Sequence, residues 1–407
     1  MSASSRLVGA ARRLFVLGLN LIVYPLAGLW PRSPKRWVFG DSSGLFMGNP
    51  KYLFLWLTLH RPDIQVAWLT KNPGTVRMLR RFGMEAHRRS SLGGSWAALR
   101  SKVFVSGHNI AHVNAQLSKG ATHLNVWHGV GLKAVGNAYR GSGRGQRIAP
   151  GRLQRLQSRH LMPMDRVLVT TSDFTQRHFS SQFDIPAQQC PQLGYSRLDW
   201  AFDPALADRA RELDLACGFE LRPAGVREAY LYLPTFRDSQ RPFLKEALPD
   251  LPRLSAILRT RDALLYLKPH PKTPVEDLAG LDNIRLWPAH IDFNTYLGEI
   301  SALITDYSSV LYDQLLVRDD GIILYTFDMA DYLAKDRNIS YSFEDNVIGV
   351  RADSFDALCD ALRDGAALQP LPAAELARLR ERFWGGSPRP ASPAIVDYMM
   401  RRLQRGA

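Results

Sequence analysis

The pattern that most limits the fold of this chain occurs twice along it. Short apolar runs with little alternation are separated by stretches whose apolar residues recur at helical spacing. The first series of runs is 36–40, 65–70, 103–107, 123–128 and 166–172. The second is 230–236, 264–268, 283–287, 302–305 and 321–327. Strands that are apolar on both faces suit a parallel sheet covered by helices on both sides. Alternating β and α units therefore predict an α/β fold with doubly wound sheets, and two series predict two facing Rossmann-like domains. A length of 407 residues accommodates both.

The expected division is a membrane-associating segment over 1–35, a first domain over 36–200, a second over 226–384 and a C-terminal helix over 385–407. The seam is the polar stretch 199–225, which holds a helical piece at 205–215 and then Arg222-Pro223-Ala224-Gly225. The stretch 373–403 reads as two helices broken over 385–393. In sheets of this kind ligands bind at the carboxyl ends of the strands, in the cleft between domains. Residues just past strands are therefore the candidates for chemistry.

Charge is divided unevenly. Residues 1–150 hold 21 Lys and Arg against three acids, and the remaining residues hold 31 against 35. The basic half suits an anionic partner: nucleic acid, an anionic membrane, or a phosphorylated substrate. The three cysteines, Cys190, Cys217 and Cys359, form no CxxC pair, which excludes a zinc ribbon and a disulfide framework and fits a reducing compartment. Residues 14–31 are uncharged and mostly apolar, with Arg12 and Arg13 before them and Arg32, Lys35 and Arg36 after. The run is at the lower limit for a span, and Pro25 weakens it further. Basic flanks on both sides suit interfacial or re-entrant attachment, with Tyr24 and Trp30 at headgroup depth. A single span and an ordinary buried helix are the other two readings.

Four post-strand segments carry candidate chemistry. In Trp127-His128-Gly129-Val130-Gly131-Leu132-Lys133 a strand ends at a histidine flanked by glycines, which can accept a proton at neutral pH or simply pack. Lys133 is a phosphate contact or a solvated charge. In Lys268-Pro269-His270-Pro271 two prolines freeze the backbone around an imidazole beside a lysine, an arrangement suited to a phosphate oxygen or a rigid surface turn. Thr305-Asp306-Tyr307-Ser308-Ser309 runs from a strand into a helix, so Ser308 or Ser309 can cap it while free N–H groups face an anion. Asp306 orients a histidine or lysine, or caps. In Pro234-Thr235-Phe236-Arg237-Asp238, Arg237 can grip phosphate bidentately or pair with an acid at the surface. The arginine-rich loop 140–147, with Arg144 at its centre, is a basic loop able to touch an anionic acceptor or a solvated loop with no role. His108, His112 and His123 lack a carboxylate or cysteine partner, so no metal site is expected there.

These segments, in this order, resemble the CDP-glycerol glycerophosphotransferases, the teichoic-acid primases and polymerases and their capsule-polymer relatives. Gly194-Tyr195-Ser196-Arg197-Leu198-Asp199, Tyr325-Thr326-Phe327-Asp328 and Tyr332 add to the likeness, which spans roughly 120–400. The resemblance implies a GT-B-like pair of Rossmann domains on the inner face of the cell membrane, peripheral or monotopic. It implies transfer of glycerol phosphate or ribitol phosphate from CDP-glycerol or CDP-ribitol to a hydroxyl of a membrane-linked glycan or phosphorylated polymer, with CMP leaving. It matches His128 to the general base and His270 to a second essential histidine near the donor diphosphate. Ser308 and Ser309 match donor phosphate contacts, with Arg237, Lys268 and Asp306 beside them and Lys133 and Arg144 on the acceptor side. The sequence departs from the family pattern at Val130-Gly131, where Thr-Pro is usual, and at Lys268, where arginine is usual. The rival readings are a GT-B glycosyltransferase that uses a nucleotide sugar, and a non-catalytic basic module that binds membrane or nucleic acid. No nucleic-acid fold signature occurs in the sequence, so nucleic acid is not an expected partner.

Overall fold

The computed structural model describes residues 18–132, 165–237, 243–270, 273–275, 278–336, 339–386 and 389–405. Two six-stranded parallel sheets form the framework. The first contains β1 (Ser33–Gly40), β2 (Gln65–Thr70), β3 (Ala86–Arg88), β4 (Ser101–Ser106), β5 (Thr122–Asn125) and β6 (Arg166–Leu168), in the order β3-β2-β1-β4-β5-β6. The second contains β7 (Glu228–Leu233), β8 (Ala263–Leu267), β9 (Ile284–Leu286), β10 (Ala302–Thr305), β11 (Ile322–Tyr325) and β12 (Val350–Ala352), in the order β12-β11-β10-β7-β8-β9. Read from its own first strand, the second sheet repeats the order of the first. In each sheet the strand order reverses between the first and fourth strands, which lie side by side and parallel, β1 beside β4 and β7 beside β10. That reversal opens a crevice where ligands bind.

The helices are α1 (Gly48–His60), α2 (Pro73–Arg81), α3 (Leu92–Arg100), α4 (Asp173–Phe183), α5 (Pro204–Leu215), α6 (Phe243–Ala247), α7 (Leu251–Arg259), α8 (Val310–Val317), α9 (Met329–Lys335), α10 (Phe355–Asp364), α11 (Ala373–Trp384) and α12 (Ala391–Arg405). Their starts follow local chemistry. Asn72, Asp203 and Ser354 accept from backbone N–H groups in the first turns of α2, α5 and α10, and Pro73 and Pro204 occupy positions where a missing N–H costs nothing. The break expected over 385–393 is shorter at its far end. Pro393 lies in the first turn of α12, where proline is tolerated.

One buried apolar cluster runs without interruption from the first sheet through Tyr52 and Leu198 to Tyr307 and Leu311 in the second half. Polar contacts bind the same boundary. Tyr52 Oη lies 2.6 Å from Thr295 Oγ1, Gly48 N donates to Asp292 Oδ2 at 2.6 Å, and Ser340 N donates to Leu132 O at 2.9 Å. The C-terminal helix returns to the first domain. Asp199 accepts from the N–H groups of Ala391 and Ser392, and Arg402 pairs with Asp165. The halves are thus held face to face.

The strand expected over 123–128 ends at Asn125. The Asn125 side chain takes the Trp127 N–H, and Trp127 sits at φ +49°, so the ladder cannot continue. The edge strands β3 and β12 were not expected; at three residues each they are too short to show a period. At the N-terminus, Leu19–Val23 and Tyr24–Ala27 are helical, and among the described residues no helix is long and apolar enough to cross a membrane. The expectation that Tyr24 lies at headgroup depth is corrected. Its ring is buried beneath Lys119, whereas Leu26, Leu29 and Trp30 are exposed.

Candidate functional site

The segments singled out in the sequence converge at the carboxyl ends of the two sheets. His128 follows β5, Lys268 and His270 follow β8, Phe236 follows β7, and Ser308 and Ser309 follow β10. Since β10, β7 and β8 are neighbours, the last three groups share one edge of the cleft. The opposing wall is the loop after β5. The two walls touch: a methyl group built on Gly129 would stand 2.5 Å from Ser309 Oγ. Only glycine permits that approach without displacement.

His128 is exposed to the cleft, and its Nδ1 lies 2.9 Å from Gly107 O. A carbonyl can only accept, so this bond places a proton on Nδ1 and, in the neutral ring, the lone pair on Nε2. The imidazole also lies against Trp127, at 4.2 Å between ring centroids, and His108 stacks over it at 5.5 Å and 10°. Burial lowers the pKa of His108, so the neighbouring ring stays neutral near pH 7 and adds no positive charge beside His128.

On the donor-side wall, His270 is exposed and its ring lies 4.3 Å from that of Phe236. The Lys268 ammonium is half-buried. Burial lowers its pKa, and the field of Asp292 opposes that shift. Ser308 Oγ accepts weakly from Val310 N at 3.4 Å, and the carbonyls of Ser308 and Ser309 accept from Leu311 N and Tyr312 N, so the N–H groups that the start of α8 leaves for an anion are those of Ser308 and Ser309, at the contact with Gly129.

Arg237 and Asp306 occupy positions unlike those expected for donor contacts. Arg237 is 1% exposed. Its Nε and Nη2 donate to Asp328 at 2.9 Å each, its Nη1 donates to Thr235 O at 2.6 Å, and Asp306 Oδ2 lies 3.0 Å from Nη2. Phe243, Tyr307 and Tyr332 surround the guanidinium. Burial alone would lower its pKa, but Asp306 and Asp328 outweigh burial and raise it. Asp306 also accepts from the N–H groups of Thr235 and Tyr307. The pair therefore sits beneath the site and ties the turn after β7 to the turn after β10. The fork that sequence reasoning assigned to phosphate is committed to carboxylates. Lys133, Arg144 and the loop 140–147 lie outside the described residues. Among the described residues, no group of three or more His, Cys, Asp or Glu side chains could hold a metal.

Sequence reasoning missed three contributors. Asn49 braces the backbone of the His128 loop, Tyr195 Oη donates to Gly129 O at 3.0 Å, and Arg197 pairs with Asp313 across the cleft. Arg197 and Tyr195 lie in a quoted motif, but their partners are 66 or more residues distant, and no local spacing announces them.

This site can be set against known proteins. The profile of the family described as CDP-glycerol:poly(glycerophosphate) glycerophosphotransferase matches residues 28–400. The chain belongs to that family. It is accordingly a glycerophosphotransferase-like enzyme with a GT-B-like fold. The structure of the wall teichoic acid polymerase TagF superposes with a TM-score of 0.72 at 20% identity, covering 99% of this chain and 96% of that one. A His-to-Asn variant of TagF soaked with CDPG gives a TM-score of 0.73 at 19% identity, with complete coverage of both chains. At such identities the likeness establishes the shared fold. No curated relative matches the chain.

Proposed function

We propose that this glycerophosphotransferase moves glycerol phosphate, or ribitol phosphate, from a CDP-activated donor to a hydroxyl of a membrane-linked glycan or teichoic-acid-like polymer, releasing CMP. One observation carries the reading: the His128 loop and the start of α8 touch across the cleft at Gly129 and Ser309. A base and an anion-binding helix start on opposite walls suit in-line phosphoryl transfer. His128 Nε2 takes the proton of the acceptor hydroxyl, whose oxygen attacks the β-phosphorus. The bond from that phosphorus to the bridging oxygen breaks, and CMP leaves with its electron pair. Lys268, His270 and the N–H groups at Ser308 and Ser309 stabilise the diphosphate charge as it shifts to CMP.

The acceptor is placed at the cytoplasmic face of the cell membrane, to which the enzyme attaches peripherally. Exposed Leu26, Leu29 and Trp30, with Trp96 edge-on to Trp30 at 5.5 Å and with Arg100 and Lys119 beside them, support this placement. The test is a panel of CDP-glycerol, CDP-ribitol and nucleotide sugars, with the released nucleotide identified. Release of CMP from a CDP-polyol is expected. Release of a nucleoside diphosphate from a nucleotide sugar, with no CMP from either CDP-polyol, would overturn the reading.

A further inference from the structure

We propose that Asn49 is a positioning residue for the transfer, acting through Arg197 to hold His128 in register with the start of α8. The inference rests on the reading of His128 as the base.

Asn49 is buried in the first turn of α1. Its Nδ2 donates to Val126 O at 2.8 Å and to Trp127 O at 2.9 Å, and its Oδ1 accepts from Arg197 N at 3.0 Å. The Trp127 carbonyl belongs to the peptide that continues into His128. Trp127 itself has φ +49°, a conformation that a large side chain keeps only where its surroundings over-determine it. Asn125 holds the N–H of that residue and Asn49 holds its carbonyl. The Val126–Trp127 peptide is thereby held on both sides, its carbonyl by Asn49 and its N–H by Asn125, and the next peptide, which leads into His128, is held at its carbonyl.

The second half of the path crosses the cleft. Arg197, whose N–H engages Asn49, directs Nη2 to both carboxylate oxygens of Asp313 at 2.7 and 2.6 Å, and both side chains are buried. Asp313 stands four residues after Ser309 and therefore shares its face of α8. Ser309 is the residue packed against Gly129. One hydrogen-bonded path thus links the loop of the base to the helix that faces it, through two residues that touch neither reacting group. A neutral amide can donate twice and accept once at this position; alanine does neither, and a carboxylate would face two carbonyl oxygens.

The test compares Asn49→Ala, Arg197→Met combined with Asp313→Leu, and all three changes together. Replacing both ions at once leaves no buried charge unpaired, so that variant keeps its fold. The readouts are kcat, KM for CDP-glycerol, CDP affinity by calorimetry, and the melting temperature. Misplacing the base relative to the helix predicts a fall in kcat of about 10- to 100-fold in each background. Donor KM and CDP affinity stay within about threefold, because ground-state donor contacts are untouched. The triple variant loses little beyond the larger single loss, since both changes act on one path. Wild-type kcat per folded molecule in Asn49→Ala, or losses that multiply in the triple variant, would overturn the proposal. Loss of turnover in His128→Ala with wild-type kcat in Asn49→Ala overturns the positioning role alone. Wild-type turnover in His128→Ala overturns the reading of the base, and the positioning role with it.

Discussion

Arg237→Ala separates two roles that predict opposite measurements. A guanidinium that grips donor phosphate is dispensable for folding, and its loss raises the dissociation constant of CDP. The structure instead places Arg237 between Asp306 and Asp328, nearly without solvent contact. Removing it leaves two buried carboxylates without their cation. Breaking a buried pair from one side costs about 3–5 kcal/mol. For a domain of this size, each kcal/mol lowers the melting temperature by about 2–4 °C, so the donor-side transition should fall by roughly 6–20 °C. Scanning calorimetry reads that transition, and CDP titration below it reads the ligand. The expected result is a large thermal loss, with CDP affinity little changed at temperatures where the variant is folded. A shift under about 2 °C with CDP affinity reduced tenfold or more would show that the guanidinium serves the ligand and that the carboxylate cage does not define its role.

Gly129→Ala pushes a methyl group to within 2.5 Å of Ser309 Oγ, so it should cost about 1–3 kcal/mol by overpacking and lower kcat by about tenfold or more as the walls part; unchanged kcat would refute the contact. His123 is buried with Nε2 2.9 Å from Ser106 Oγ, and burial, helped by the charge of Arg166, brings its pKa down to about 3. The unfolded chain therefore binds a proton that the native state refuses, and stability falls as pH drops from about 6.5 towards 3, by up to about 1.4 kcal/mol per pH unit. Denaturant midpoints against pH should show a shallower acid loss in His123→Gln, and an identical slope would refute the assignment. Binding to anionic vesicles should weaken steeply with salt and with Leu29→Ser combined with Trp30→Ser; salt-insensitive binding that survives the double change would contradict the proposed membrane face.

Two sheets of parallel strands were legible in the sequence because their central strands are apolar on both faces, as in Ala302-Leu303-Ile304, and because glycine and proline mark several strand ends; short edge strands with a polar residue, such as Ala86-His87-Arg88, were not. The post-strand rule then brought out His128, His270 and Ser308-Ser309 without any knowledge of contacts. It failed at Arg237 because an arginine after a strand looks the same whether it meets a ligand or a carboxylate. Asp328, which decides between them, lies 91 residues away. Asn49 was illegible for the same reason. Its partners Val126, Trp127 and Arg197 are 77 to 148 residues distant, and only the folded chain shows that one amide serves all three. The strand expected to reach His128 stopped at Asn125 because side-chain hydrogen bonding, invisible to periodicity, turns the backbone at Trp127.

The central claim is that two opposed walls, one bearing a base and one bearing an anion-binding helix start, carry out phosphoryl transfer. CDP-glycerol turnover and CDP binding in His128→Ala test it most directly. Release of CMP should fall by at least about 100-fold while CDP binds as in the parent enzyme. Parent-level turnover in that variant would contradict it.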